Sequence, residues 1–389
     1  MDMNTILEAI LGCPLDLLEH RTSCIIGARL PLGFLAALSD ESDKIDALRA
    51  CMIIYLLTAT AIVPREFQLQ ASLAILNGKD NIITAGTGSG KTLCIIIPLL
   101  LRPQSISITV SPLKRLQATQ VWYRLSAWQA DSMTASSKVL ESQKFGISTI
   151  AINEDTPSDR ELWDSIRTGK FRHLIVSPKQ LGTYNGHLPR LARLLREDRT
   201  FTRKIARVHI DEAHNIYTAG RANHGTPFQA LSATLLPHIL DAVKHNLLIS
   251  PDYIDLRLPA NRSNIAYATT SVIGSLRNFH SLDCLIPPKF HPPMVIPKTL
   301  VFHDCKQEAS DAAIYNDNRL PVAMRNQGVV KHYHSDMSAE YLQQTYDDFS
   351  SDAGTCLILH ATAGASMGLD IRGICIVIQY APARRTSSP

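Results

Sequence analysis

The 389-residue chain has no CxxC pair: its eight cysteines (Cys13, Cys24, Cys51, Cys94, Cys284, Cys305, Cys356 and Cys375) are scattered along it. Neither a zinc ribbon nor a disulfide framework is written in that spacing, which suits reduced thiols. Aromatic residues are few, 6% of the chain, and charge of one sign is scarce, with 39 Lys+Arg against 35 Asp+Glu for a net +4. No global imbalance therefore announces a polyanionic partner. Long apolar runs are missing too. The best candidate, Ala50 to Val63, has no charge over fourteen residues, and a spanning helix needs about 20, so it reads as a buried core helix. Asp2 and Glu8 interrupt the start, and no cationic stretch precedes an apolar one, which argues against a secretory leader.

What is present is the composition of a globular chain, 45% hydrophobic, with length for two domains. Residues 1–60 read as helical, from the apolar spacing of Ile6, Ile10, Leu11, Leu15, Leu17 and Leu18. From Asn81 onward, short runs rich in Ile and Val alternate with longer amphipathic stretches, as in a parallel sheet covered on both faces. The strand candidates are Asn81–Ala85, Ser105–Val110, Gly146–Ile152, His173–Ser177, Ala206–Asp211 and Phe228–Thr234, with helices at Leu93–Leu101 and Lys114–Trp128 between them. A second set follows at Thr299–Asp304, Val329–His334, Cys356–Thr362 and Cys375–Tyr380. Between the sets lie Pro287, Pro288, Pro292, Pro293 and Pro297, which no long helix or central strand accommodates. The expected organisation is a helical N-terminal extension (1–60), a first α/β unit (61–256) and a second (257–389).

Two motifs carry chemistry. Ala85-Gly86-Thr87-Gly88-Ser89-Gly90-Lys91-Thr92 follows one predicted strand and opens a helix, the context a phosphate-binding loop requires. Its glycines let backbone N–H groups turn toward a phosphate, and the helix N-terminus adds partial positive charge. Lys91 would reach the β- and γ-phosphates of a nucleotide, and Thr92 would offer its hydroxyl to Mg²⁺. Val208-His209-Ile210-Asp211-Glu212-Ala213-His214 then sets a carboxylate pair at the end of an apolar strand. Asp211 is the expected Mg²⁺ ligand, Glu212 the group that polarises the attacking water, and His214 the link to the next element.

With both motifs in order, the chain resembles superfamily-two helicases, and within them the RecQ-like, DEAH-box DNA helicases, especially the fungal branch. The likeness runs from about Arg65 to Tyr380 and implies two RecA-like parallel-sheet domains. It casts Gln68, 23 residues before Lys91, as the adenine-reading glutamine. It casts Ser111-Pro112-Leu113 with Gln117, and Ser177-Pro178-Lys179-Gln180-Leu181, as grips on the nucleic-acid backbone. Ser232-Ala233-Thr234 resembles the link between hydrolysis and movement. Asn261-Arg262-Ser263-Asn264, Leu300–Asp304, Tyr333–Ser338 and Ala361-Thr362 to Gly368-Leu369-Asp370 are similar to second-domain motifs, in which Thr362, Gly368 and Asp370 touch nucleic acid or nucleotide. The implied activity is ATP- and Mg²⁺-dependent 3′→5′ translocation on single-stranded DNA and unwinding of tailed duplex DNA in repair or recombination, in the nucleus, with no membrane partner.

The sequence departs from that pattern in places. Only seventeen residues, Asn215 to Leu231, separate His214 from Ser232, without the aromatic cluster of the family's DNA-sensing loop. The family's final arginine motif does not follow Tyr380 before Pro389, so the second domain reads as incomplete, and no zinc module follows. A nucleotide- and nucleic-acid-binding protein without unwinding activity, or a related RNA helicase, are the alternative readings. One further stretch stands out: Arg160 to Arg207 holds twelve Lys/Arg against four Asp/Glu, readable either as phosphate contacts or as a solvated helix face. His332 and His334 alternate along a strand, and Trp122, Trp128 and Trp163 read as core residues.

Overall fold

The computed structural model describes residues 3–111, 137–183, 186–215, 226–259, 264–288, 290, 294–362, 371 and 373–380. The described chain divides into two compact units between 259 and 264.

The first unit begins with four helices, α1 (Met3–Leu11), α2 (Leu15–Ile26), α3 (Leu32–Ala37) and α4 (Glu41–Leu57), and continues with α5 (Glu66–Leu76). The sheet strands are β1 (Asn81–Thr84), β2 (Ile106–Val110), β3 (Thr149–Ile152), β4 (His173–Val176), β5 (Ile205–Asp211), β6 (Phe228–Ser232) and β7 (Ile254–Arg257). Between them run α6 (Thr92–Leu101), α7 (Ser137–Lys144), α8 (Arg160–Thr168), α9 (Arg190–Glu197), α10 (Arg199–Thr202) and α11 (Pro237–Asn246). All seven strands are parallel, in the order β3-β4-β2-β5-β6-β1-β7. Strands of this kind are covered on both faces. On one face lie Ile53, Leu69, Cys94 and Ile97 from α4, α5 and α6; on the other lie Trp163, Leu191, Phe201 and Leu240 from α8 to α11.

From Met3 to Leu57 the chain is mainly helical, and α1 to α4 form a wall of this unit. Ile10, Leu18 and Leu35 share one core with Leu69 and Ile97. The uncharged run from Ala50 is buried in α4 through Ile54. Asp46 of α4, 5% exposed, takes both terminal nitrogens of Arg102 at 3.1 and 2.6 Å, which fixes α4 to the end of α6. No helix among the described residues is long and apolar enough to cross a membrane.

Strand β7 falls outside the strands expected from the sequence and pairs with β1 at the sheet edge. Asp80, just before β1, closes this corner: its carboxylate accepts from the backbone N–H of Phe228 and of Ser250, each at 2.8 Å. A buried acceptor satisfied by two main-chain donors sets the start of β6 level with β1.

The second unit holds β8 (Thr299–His303), α12 (Lys306–Arg319), β9 (Val330–Tyr333), α13 (Ala339–Ser350), β10 (Ile358–Thr362) and β11 (Ile376–Tyr380). Its strands are again parallel, in the order β11-β8-β10-β9. The proline-rich stretch before β8 forms no strand among its described residues. His332 and His334 stack at 5.4 Å between ring centres, and His303 on β8 meets His360 on β10 at 2.9 Å. Helix Lys114–Trp128, with Trp122 and Trp128, lies outside the described residues.

Candidate nucleotide site

Apart from Gln68 on α5, the motifs of the first unit lie at or just beyond the carboxyl end of a strand: residues 85–92 after β1, Ser111 after β2, Ser177 after β4, Asp211 at the end of β5 and Ser232 at the end of β6. Open parallel sheets bind ligands along that edge, because there the loops and helix N-termini converge. The register Thr84↔Ser232 and the bond from the Ala85 N–H to the Ser232 carbonyl, 3.0 Å, bring the ends of β1 and β6 together.

The loop is shaped by its glycines. Gly88 and Gly90 have φ of +81° and +84°, a region costly for any residue with a Cβ. Gly90 has a second constraint, since a Cβ there would stand 2.6 Å from Nε2 of Gln68. Gln68 is 3% exposed and clamps the loop. Its Nε2 donates to the Gly90 carbonyl at 2.9 Å, and its Oε1 accepts from the Arg65 N–H at 2.8 Å. The carboxamide thereby joins the start of α5 to the turn that leads into α6.

Lys91 donates to the carbonyls of Ala85 at 2.6 Å and Gly86 at 3.3 Å. Burial lowers the pKa of this amine, and the negative charge of Glu212 works against that shift. Cys94, one turn further into α6, is fully buried and its thiol is pushed up to about 12, so it remains neutral. Ser89 keeps a buried hydroxyl with no hydrogen-bond partner. A half-buried ammonium held by carbonyls alone, an unpartnered hydroxyl and a helix N-terminus together fit a phosphate group.

Asp211 receives a hydrogen bond from the Ser111 hydroxyl at 3.4 Å. Glu212, the next residue, takes the left-handed backbone conformation at φ +52°, an uncommon state for a residue with a side chain. That turn throws its carboxylate to 3.4 Å from Nδ1 of His214. The same Nδ1 lies 2.9 Å from the Ser232 hydroxyl, which donates to the Thr234 carbonyl at 3.0 Å. A continuous polar path thus runs from Glu212 through His214 to Ser232 and Thr234.

Ser177 is buried and donates to Glu154 at 3.4 Å, while Lys179 of the following turn pairs with the other oxygen of Glu154 at 3.0 Å. Pro178 is exposed at the start of that turn, and Thr362 closes β10 in the second unit. Pro112, Leu113, Gln117, Gly368 and Asp370 lie outside the described residues. Thr87, Thr92 and Gly86 sit in the loop and first helical turn where the sequence places them.

Two features escaped the sequence reading. An open depression of about 350 Å³ lies beside the start of α5, lined by Arg65, Phe67 and Gln70 with Leu256 and Arg257 of β7. Arg207, counted within the basic stretch, is not a surface charge. It is 3% exposed and donates to the Pro98 carbonyl of α6 and to the Ser105 hydroxyl, each at 2.5 Å.

Residues 65–237 match the DEAD/DEAH box helicase family, and residues 294–388 match the helicase conserved C-terminal domain. One match falls on the first unit and the other on the second. The chain is 26% identical over 344 residues to the ATP-dependent DNA helicase hus2/rqh1 of Schizosaccharomyces pombe, covering 81% of the chain and 22% of that protein. It is 25% identical over 338 residues to the ATP-dependent helicase wrn-1 of Caenorhabditis elegans, covering 81% and 28%. A pre-mRNA-processing ATP-dependent RNA helicase, prp5 of Sclerotinia sclerotiorum, is 24% identical over 346 residues, covering 82% and 27%. The chain spans about half the length of the helicase Q1 relatives that it matches in two Caenorhabditis species. In fold it is similar to Saccharomyces cerevisiae Dbp5 bound to RNA and ADP BeF3, with a TM-score of 0.56, 19% identity, and 86% of this chain and 78% of that one covered. The two parallel-sheet units are RecA-like domains, and α1 to α4 are a helical N-terminal region joined to the first.

Proposed function

We propose that the chain is an ATP-dependent DNA helicase of RecQ type, moving 3′→5′ on single-stranded DNA. The observation that carries this reading is the convergence of Lys91, Asp211, Glu212 and the His214–Ser232 pair at one edge of the first sheet.

In this reading the loop from Gly86 to Gly90 and the Lys91 ammonium hold the phosphates of ATP. Gln68 and the depression beside α5 take the adenine. Thr92 and Asp211 hold Mg²⁺, which when bound supplies charge neutralisation on the phosphate oxygens. Ser111 orients the Asp211 carboxylate through its hydroxyl. Glu212 accepts the proton of the attacking water, and Nδ1 of His214 faces both that carboxylate and the Ser232 hydroxyl. Loss of the γ-phosphate changes the charge facing Glu212, and the hydrogen bonds through His214 and Ser232 pass the change to Thr234. Ser177 and Pro178 on the first unit, Pro112 and Leu113 beside Ser111, and Thr362 on the second supply backbone contacts. Such contacts fix position without reading sequence, as movement along a strand requires. The relatives named as DNA helicases support DNA over RNA, and nuclear residence accompanies that reading.

The test is strand displacement on a duplex bearing a 3′ single-stranded tail, with ATP and Mg²⁺. Unwinding of the 3′-tailed but not the 5′-tailed duplex is expected. ATP binding with no turnover and no displacement would favour a nucleotide-binding protein without helicase activity. RNA helicases among the relatives and the RNA-bound neighbour motivate a second reading, in which RNA is the track. Competition between DNA and RNA single strands of equal length separates the two.

A further inference from the structure

We propose that the arginine face of α9 and α10 binds the phosphodiester backbone of double-stranded DNA, at a site distinct from the loops of Ser111 and Ser177. The inference rests on the reading of the chain as a DNA-directed enzyme and extends it to the duplex.

Helix α9 shows how the face arises. Leu191 and Ala192 are buried toward the sheet, and Leu194 and Leu195 are half-buried beside them. The outer side carries Arg190, Arg193 and Arg196, and α10 continues it with Arg199 and Arg203, all exposed. Arg190, Arg193 and Arg199 share an open depression of about 440 Å³. Two carboxylates, Glu197 and Asp198, lie on the same rim. Asp198 is engaged: it accepts from the Phe201 N–H at 2.9 Å as the cap of α10, and it faces Arg167 at 3.9 Å. Glu197 alone opposes five guanidinium groups.

An ordinary solvated helix face interleaves charges of both signs, because like charges three residues apart destabilise a helix by about 0.2–0.5 kcal/mol each. Here Arg190, Arg193 and Arg196 stand in that relation. Among the described residues, no ion pair includes Arg193, Arg196, Arg199 or Arg203. Neighbouring cations are used differently. Lys204 donates to the carbonyls of Arg167 and Thr168, and Arg190 lies over the Trp163 ring at 4.9 Å while donating to the Ser158 carbonyl. The four remaining arginines present open forks, the geometry that suits phosphate oxygens.

The duplex is favoured over a single strand by what surrounds the guanidinium groups. Single-strand sites pair cationic grooves with exposed rings on which bases stack. The rings packed beneath this face, Trp163 and Phe201, are 6% and 1% exposed, so among the described residues the face carries charge without a stacking surface. Arg190 to Arg196 span about 9 Å along the helix axis, the reach of two or three successive phosphates at about 3.4 Å of duplex axis each.

The experiment measures binding of blunt duplex DNA and of an unpaired strand to the full chain, without nucleotide, across salt from about 50 to 200 mM. The variant R193Q/R196Q/R199Q should lose roughly tenfold in duplex affinity, and its slope of log affinity against log salt should fall by about 2 to 3. Its single-strand binding should be unchanged, and R193K/R196K/R199K should keep most of the slope. Thermal melting shows that the exposed substitutions leave the fold intact. Unchanged duplex affinity and slope in the Gln variant overturns the inference, whatever acidic partner the face then binds. Equal losses on duplex and single strand overturn the duplex assignment. A wild-type chain that binds neither form overturns the parent reading as well, so the two failures are distinguishable.

Discussion

The guanidinium of Arg207 reaches from β5, four residues before Asp211, to the carbonyl of Pro98 in α6, the helix that begins after Lys91, at 2.5 Å. One buried side chain therefore ties the element that carries Asp211 to the helix that begins after Lys91. Burial, with Arg102 nearby, lowers its pKa to about 10, still far above neutrality, so the cation persists in the interior.

Substituting Arg207→Met should therefore cost about 1–3 kcal/mol, because the Pro98 carbonyl, though it keeps the Arg102 N–H, and the Ser105 hydroxyl both lose a charged donor. It should also raise the KM for ATP, because α6 and β5 lose their common anchor. Chemical unfolding and ATPase kinetics check both, and an unaltered denaturation midpoint would remove the anchoring role.

The Gly90–Gln68 contact gives a second prediction. Gly90→Ala places a Cβ at 2.6 Å from Gln68 Nε2 in a left-handed backbone, and should cost about 1–2 kcal/mol and weaken nucleotide binding. In a Gln68→Ala background the steric part disappears and the conformational part stays, so the two changes are non-additive. Strict additivity in thermal melting would contradict the clamp.

The path through His214 gives a third. His214→Ala and Ser232→Ala should each reduce strand displacement more than ATP turnover, with a coupling of about 0.5–3 kcal/mol between them in a double-mutant cycle. Equal losses of turnover and displacement would count against a coupling role.

The second unit supplies a pH dependence. Burial lowers the pKa of His303 to about 4, with Asp304 opposing, and pushes the adjoining His360 well below its ordinary value. Burial in β5 likewise takes His209 to about 3. The unfolded chain, with histidines near 6.5, therefore binds more protons than the native state as pH falls below 6.5. Stability should be level above that pH and decline through the window from 6.5 toward 4, by up to about 1.4 kcal/mol per pH unit for each histidine. Thermal melting at pH 7, 6 and 5 checks this, and a flat profile would contradict it.

Much of the fold was legible because parallel strands buried on both faces are runs such as Ile106–Val110 and Ile358–Thr362, which no amphipathic helix resembles. Strand β7 was not, because Ile254–Arg257 alternates charge with apolar groups at a sheet edge, and its pairing with β1 is a long-range event. The packing of α1 to α4 depends on partners such as Asp46 and Arg102, 56 residues apart. Glycine spacing and context marked the turn between β1 and α6, where Gly88 and Gly90 take positive φ. By contrast, the Ser111–Asp211 bond joins residues 100 apart, and nothing in the basic stretch separates the buried Arg207 from the exposed Arg203. One-dimensional spacing marks which residue types are present, and the topology decides which of them meet.

The central claim is that Lys91, Asp211 and Glu212 form an ATP-hydrolysing site coupled to DNA. The most direct measurement is ATP turnover by the full chain with Mg²⁺, with and without single-stranded DNA, beside Lys91→Ala. Turnover should rise with DNA in the wild-type chain and be abolished in the variant, whose melting temperature should stay close to the wild-type value. Undiminished hydrolysis in Lys91→Ala would contradict it.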